Sequence, residues 1–147
     1  MPFREFDHDT QELVAIRTHI SWQQPERTIW MDGRPRPSEN DLHTYAGFTL
    51  GQWEGGVLTG KMTHMARGLS ARNGAPLSDQ ATMTDYFVRN GDHLTNVTVT
   101  EDPVFLSEPL VRSNDYSRQP VDHAAWLYAC DDGEQILDRA PDYVPHY

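Results

Sequence analysis

The sequence predicts an all-β chain, an up-and-down antiparallel meander closed into a small calycin-like barrel. A two-sheet β-sandwich is the alternative. Three observations carry this. Apolar residues recur with period two in several runs. Glycine or Asn-Gly turn signals separate those runs. Ten glycines and ten prolines leave few stretches long enough for a helix. A meander of about seven or eight strands must hide its edges, and closure hides them. A barrel of that size either fills with side chains or encloses one small ligand.

The elements follow in chain order. "ELVAIRTHISW" (12–22) alternates, with Val14, Ile16, Thr18, Ile20 and Trp22 on one face and Arg17, His19 and Ser21 on the other. "QQPE" turns the chain and "RTIWM" (27–31) is the second strand. "DGRPRPSEND" (32–41) is a polar loop rich in breakers. "YAGFTLGQWEG" and "VLTGKMTHM" form a hairpin over Gly55 and Gly56. In its second strand Leu58, Gly60, Met62 and His64 share one face. Val57, Thr59, Lys61, Thr63 and Met65 share the other, which should be wet. That places His64 on the apolar side, beside Met62. Residues 66–80 are a second long loop. "ATMTDYFVRNGDHLTNVTVTED" is the clearest hairpin, with Asn90-Gly91 at its centre. "DPVFLSEP" is a short connection containing one helical turn. "LVRSNDY" and "AAWLYAC" are two further strands, and the tail from Asp131 is polar and irregular. The whole chain, 1–147, reads as one domain.

Composition narrows the partners. Twelve Lys and Arg against 22 Asp and Glu give a formal net charge of -10. Such a surface repels phosphate backbones and anionic membranes, so neither nucleic acid nor membrane is an expected partner. One cysteine, Cys130, allows no internal disulfide and no C-x-x-C site. No apolar run approaches the ~20 residues of a membrane span. "MPFREFDHDT" has no hydrophobic signal region, so the expected location is cytoplasmic.

Four stretches carry a resemblance: "RTIWMDGRPRP", "GQWEGGVLTGKMTHM", "RNGAPLSDQATMTDYFVRNGDHLT" and "EDPVFLSEPLVR". Together, over about Arg27 to Arg112, they resemble a large, poorly characterised family of bacterial proteins. Its pattern runs R-x-I-x-x-D-G-R, G-x-W-E-G, T-H, R-N-G-x-P-x-S-D-x-A-T and D-P-V-x-L-x-E-P. Matching positions include Arg27, Asp32, Arg34, Trp53, Glu54, His64, Arg72, Asn73, Ser78, Asp79 and Arg112. The family often carries histidine where this chain has Phe48 and Tyr86. The resemblance implies homology and no established reaction. It leaves an exported location open, because many members look exported.

Several residues are candidates for chemistry. A histidine in a pocket can move protons near neutral pH. The competing reading of His64 is a buried ring bonded to a backbone carbonyl or a carboxylate. Asp85 and Tyr86 lie mid-strand, and a carboxylate beside Met83 and Phe87 needs a partner. If that face is inward, Asp85 orients His64; if the other is, Tyr86 is the pocket group. Arg27 or Arg112 would hold an oxyanion, and Arg112 would also suit an internal carboxylate such as Glu54 or Asp85. Trp53, Met62 and Phe87 would line the ligand space. Seven histidines show neither H-x-H nor H-E-x-x-H spacing, and no metal or other cofactor is expected.

The sequence thus leads to a small-molecule enzyme of lyase or isomerase type. It would run cofactor-free acid–base chemistry on an apolar or aromatic substrate. His64, Asp85 and Tyr86 would be catalytic. Arg27, Trp53, Met62, Phe87 and Arg112 would bind substrate. Two alternatives stand beside it. One is a non-catalytic small-molecule-binding barrel. The other is a homodimeric interaction module, favoured if Trp22, Trp30 or Trp126 is exposed.

Overall fold

A computed structural model describes residues 3–19, 26–69, 74–120 and 122. Trp22, residues 23–25 of the "QQPE" turn, Arg72, Asn73, the "AAWLYAC" segment with Trp126 and Cys130, and the tail from Asp131 lie outside the described residues. The strands are β1 (Phe3–Phe6), β2 (Leu13–His19), β3 (Glu26–Trp30), β4 (Phe48–Glu54) and β5 (Val57–Thr63). They continue with β6 (Gly68–Leu69), β7 (Pro76–Leu77), β8 (Thr82–Asn90), β9 (His93–Glu101) and β10 (Leu110–Ser117). No helix occurs among the described residues.

Eight strands form one sheet in the order β1-β2-β3-β4-β5-β8-β9-β10, and β6 pairs with β7 apart from it. The all-β meander is therefore present. Closure is not: β1 and β10 stand at opposite ends of the order among the described residues. A large open sheet with a small second one is nearer the sandwich than the barrel. One junction also departs from the up-and-down pattern. β3 and β4 run parallel, with Ile29 opposite Thr49 and Trp30 opposite Leu50. A parallel neighbour needs a crossover, and the long connection after β3 supplies it. Three strands are absent from the sequence reading. β1 was too short to read, and β6 and β7 lie inside what reads as a loop.

Both hairpins form. Glu54 faces Val57, leaving Gly55 (φ 55°) and Gly56 (φ 88°) as a two-residue loop with positive φ at both positions. In the second hairpin Asn90 faces His93. The loop is therefore Gly91–Asp92, one residue beyond the expected centre. Only Gly91 has positive φ, 60°, which is the II′ requirement.

Register decides which side chains share a face. Thr49, Met62, Met83, Thr100 and Leu110 stand opposite one another across β4, β5, β8, β9 and β10. The next row on that face is Gly51, Gly60, Asp85, Thr98 and Arg112. The third is Trp53, Leu58, Phe87, Asn96 and Asn114. This is the inner face. One apolar cluster, Met62, Met65, Leu77 and Ala81 with Met83, lies at one end of it. The other, Ile16, Ile29 and Leu58 with Leu13, Met31 and Phe87, lies at the opposite end. Along β5 and β8 a polar row divides the two: Leu58, Gly60, Met62 on one strand and Phe87, Asp85, Met83 on the next.

One arginine bridges the inner face. Arg27 of β3 bonds Asp85 of β8, three strand steps away in the sheet order. On a flat sheet that is roughly 14 Å. The Arg27 side chain covers it by lying across the sheet, bonding Thr49 of β4 and passing over Gly60 of β5. Two glycines keep this face low. A Cβ on Gly51 would fall 2.5 Å from Ile29 Cγ2 and 2.5 Å from Met31 Sδ. A Cβ on its partner Gly60 would fall 3.3 Å from Thr49 Cγ2.

Candidate functional site

The polar row holds a fully buried carboxylate. Asp85 is 1% exposed, and Arg27 makes a salt bridge to its Oδ2 through Nη1. Its Oδ1 accepts from the Thr98 hydroxyl and, at 3.4 Å, from Asn96 Nδ2. Arg27 Nε donates to Thr49 Oγ1 at 3.1 Å. Each partner follows from the strands. Thr98 is directly across from Asp85, and Asn96 is two residues along β9 on the same face. A buried charge is tolerated when paired and hydrogen-bonded, and both conditions are met for Asp85.

Two atoms of this cluster remain without a protein partner among the described residues. Arg27 Nη2 and Asn96 Oδ1 are both buried and unpaired. They sit on either side of the same carboxylate, one a donor and the other an acceptor. Most buried polar atoms in folded proteins are satisfied, so a donor and an acceptor left open around one charge are unusual. Gly60 is across from Asp85, and the Arg27 guanidinium packs over it: a Cβ there would lie 3.9 Å from Nη2.

The remaining candidates distribute as follows. Phe87 is half-buried, and Trp53 is 58% exposed; both occupy the inner row next to Asp85. Met62 is buried in the first apolar cluster. Arg112 is exposed and occupies the same row as Thr98 and Asp85. It makes no ion pair among the described residues, so the internal partner of Asp85 is Arg27 and not Arg112. Tyr86 is on the opposite face, 37% exposed.

His64 leaves the expected arrangement. β5 ends at Thr63, and His64 has φ 57°, in the left-handed region. That dihedral breaks the strand alternation and turns the ring toward the 32–46 connection. Its Nε2 lies 2.9 Å from the Ser38 carbonyl, so Nε2 carries the proton and donates. Its Nδ1 lies 2.8 Å from Thr63 Oγ1, whose hydroxyl donates to it. The ring packs tilted, at 50°, against His43 with centroids 5.1 Å apart, and His43 Nδ1 donates to the Met65 carbonyl at 3.0 Å. Thr44 also bonds the backbone of His64 and Ala66. His64 is thus tied to the connection and not to Asp85.

Other residues of the sequence pattern pair among themselves. Asp32 takes a forked bond from Arg34, which holds its carboxyl down at about 2. Arg34 lies over the Trp30 ring at 3.4 Å, so Trp30 offers no bare patch. Ser78 gives Asp102 its backbone N–H and its hydroxyl, both at 2.7 Å. Asp102 also accepts from the N–H groups of Val104 (2.9 Å) and Phe105 (3.3 Å). Burial pushes the Asp102 carboxyl up, but these four bonds outweigh it and bring it below the ordinary value. Neither Ser78–Asp102 nor the roles of Thr49, Asn96 and Thr98 were foreseen from the sequence.

A cleft of about 450 Å³ lies elsewhere, lined by Asp7, Leu13, Val14, Met31 and Asp32 among others. It contains none of the candidates for catalysis or binding. No group of three or more His, Cys, Asp or Glu stands together to hold a metal ion among the described residues. Comparison with family models, with curated proteins and with solved structures finds no match. Function is therefore argued from the cluster itself.

Proposed function

We propose that the protein binds a small molecule on the inner face of its sheet, over Arg27, Asp85 and Asn96, without reacting with it. One observation carries this reading: the buried donor Arg27 Nη2 and the buried acceptor Asn96 Oδ1 have no protein partner among the described residues. Both atoms are closed to solvent, so a ligand presenting one acceptor and one donor would satisfy them once the side chains over them part. Each bond made there would recover the desolvation cost of a buried group, of order 1–3 kcal/mol. The adjoining row supplies apolar contact through Trp53, Leu58 and Phe87. A few placed polar groups beside an apolar surface are the usual make-up of a ligand site.

Binding is favoured over acid–base catalysis by the state of the two proton-transfer candidates. Both ring nitrogens of His64 are engaged, with Ser38 and Thr63. Both oxygens of Asp85 are engaged, with Arg27, Thr98 and Asn96. A general base needs a lone pair within reach of its proton: His64 has no nitrogen free, and the lone pair left on Asp85 Oδ2 belongs to a buried carboxylate paired with Arg27.

The test is a fragment screen followed by amide NMR. The expected result is that at least one neutral or charged aromatic fragment shifts the amides of Gly60, Asp85 and Thr98 together with the Trp53 indole. Shifts confined to the cleft by Asp7 and Asp32, or none at all, would overturn the reading.

A further inference from the structure

The tip of the β8–β9 hairpin carries chemistry of its own. We infer that Asn90-Gly91 is a site of spontaneous covalent modification: the Asn90 side chain closes onto the Gly91 nitrogen, and the ring opens to isoaspartate or aspartate. The fold exposes the pair. β8 pairs with β5 only as far as Phe87, so among the described residues Val88, Arg89 and Asn90 are held by β9 alone. Residues 88 to 93 are all exposed. A two-stranded tip opens at lower free energy than the sheet behind it.

Local contacts leave the reacting atoms free. Among the described residues the Asn90 side chain has no hydrogen-bond partner, and the Gly91 N–H has no acceptor. Arg89 Nε bonds the Gly91 carbonyl at 2.9 Å and not its nitrogen. Glycine has no side chain to shield that nitrogen, and even a Cβ built there would meet nothing within 4 Å. The other described asparagines lack this combination. The N–H that follows Asn40 is bonded to the Ser38 carbonyl at 2.9 Å. Asn96 bonds Asp85 and Thr98 and precedes the β-branched Val97. Asn114 precedes Asp115, midway along the β9–β10 ladder.

The reaction balances with water alone. The Gly91 nitrogen gives up its proton and bonds Asn90 Cγ; the Cγ–Nδ2 bond breaks, and ammonia leaves with that proton. Water then opens the cyclic imide. Attack at Cγ leaves aspartate on an ordinary main chain. Attack at the Asn90 carbonyl carbon leaves isoaspartate, whose main chain runs through Cβ and Cγ. That path is longer by one carbon at the pair that closes the hairpin, Asn90 opposite His93.

The test incubates the native chain at neutral pH over several weeks, with a parallel sample in guanidinium chloride. Digestion with pepsin in acid, where the reaction is slow, is followed by electron-transfer fragmentation, which places each conversion and separates isoaspartate from aspartate. Asn73-Gly74, outside the described residues, is placed separately by the same fragmentation. In the native chain Asn90 is expected to convert, chiefly to isoaspartate, at least about tenfold faster than Asn96 and Asn114, whose surroundings open only with the sheet. Asn90→Gln, with a side chain too long for the same ring, should remove the product. If Asn90 stays asparagine in the native chain, the inference is overturned, and its conversion in guanidinium chloride would show that the folded tip protects it. Conversion of native Asn96 or Asn114 as fast as Asn90 would overturn it equally, because the exposed tip would then confer nothing.

Discussion

Asp85 and Asp102 are both buried carboxylates, and they do different work. Asp85 is balanced by a cation and leaves neighbouring groups open; Asp102 is closed off by four donors from two segments. Asp85→Ala strands a half-buried arginine and is expected to lower stability by about 3–5 kcal/mol in urea denaturation. Arg27→Met combined with Asp85→Leu should restore most of that loss while abolishing ligand shifts, because an apolar pair can replace a buried ion pair. The pH behaviour belongs to Asp102. Its folded carboxyl titrates below the unfolded value near 3.8, so its contribution is present above that value. As pH falls below 3.8 the unfolded chain takes up the proton first, and the contribution fades through the folded pKa. Asp102→Asn should therefore lower stability at pH 7 and flatten its acid limb between pH 5 and pH 2, read by denaturant titration at each pH.

At the scale of elements, the hairpins test how backbone geometry was encoded. Gly55→Ala places a Cβ at φ 55° and is expected to cost about 1 kcal/mol by urea denaturation, although nothing stands within 4 Å of that Cβ. His64 also sits in left-handed geometry, so His64→Gly should cost less than His64→Ala, while both speed hydrogen exchange at Thr44. A catalytic His64 would show lost turnover with unchanged exchange. The β4–β5 and β8–β9 hairpins were legible because Gly-Gly and Asn-Gly lie between alternating runs. The loop of the second is displaced by one residue, which moves each pairing by two. That leaves every side chain on its face but puts Asp85 opposite Thr98 and not Asn96. Hence the face was legible and the partners of Asp85 were not. β6 and β7, two residues each, carry no period to read. The turn of His64 out of its strand is a single dihedral, and no residue type there signals it.

At the scale of the molecule, the fold class was legible from periodicity, whereas the pairing of β3 with β4 was not. That pairing joins residues some 20 positions apart through only two pairs, so no local pattern specifies it. Closure could not be read either, since it depends on what the terminal strands meet. β1 and β10 are both at sheet ends among the described residues, and a net charge of -10 opposes edge-to-edge pairing of copies. Raising the salt concentration to 0.5 M should screen the net charge of -10 and increase self-association, measured by sedimentation velocity at several protein concentrations.

The short β3–β4 contact has a mechanical consequence. It divides the sheet into two antiparallel leaves, β1–β3 and β4–β10 without the β6–β7 pair, joined along a two-pair seam. The Arg27–Asp85 bond passes over that seam like a clasp. Amides of β2 and β3 should then exchange as one cooperative unit, at a lower opening energy than those of β5 and β8. A molecule that engages Arg27 from the other leaf would fasten the clasp, and occupancy would be felt as slower exchange all the way to β1.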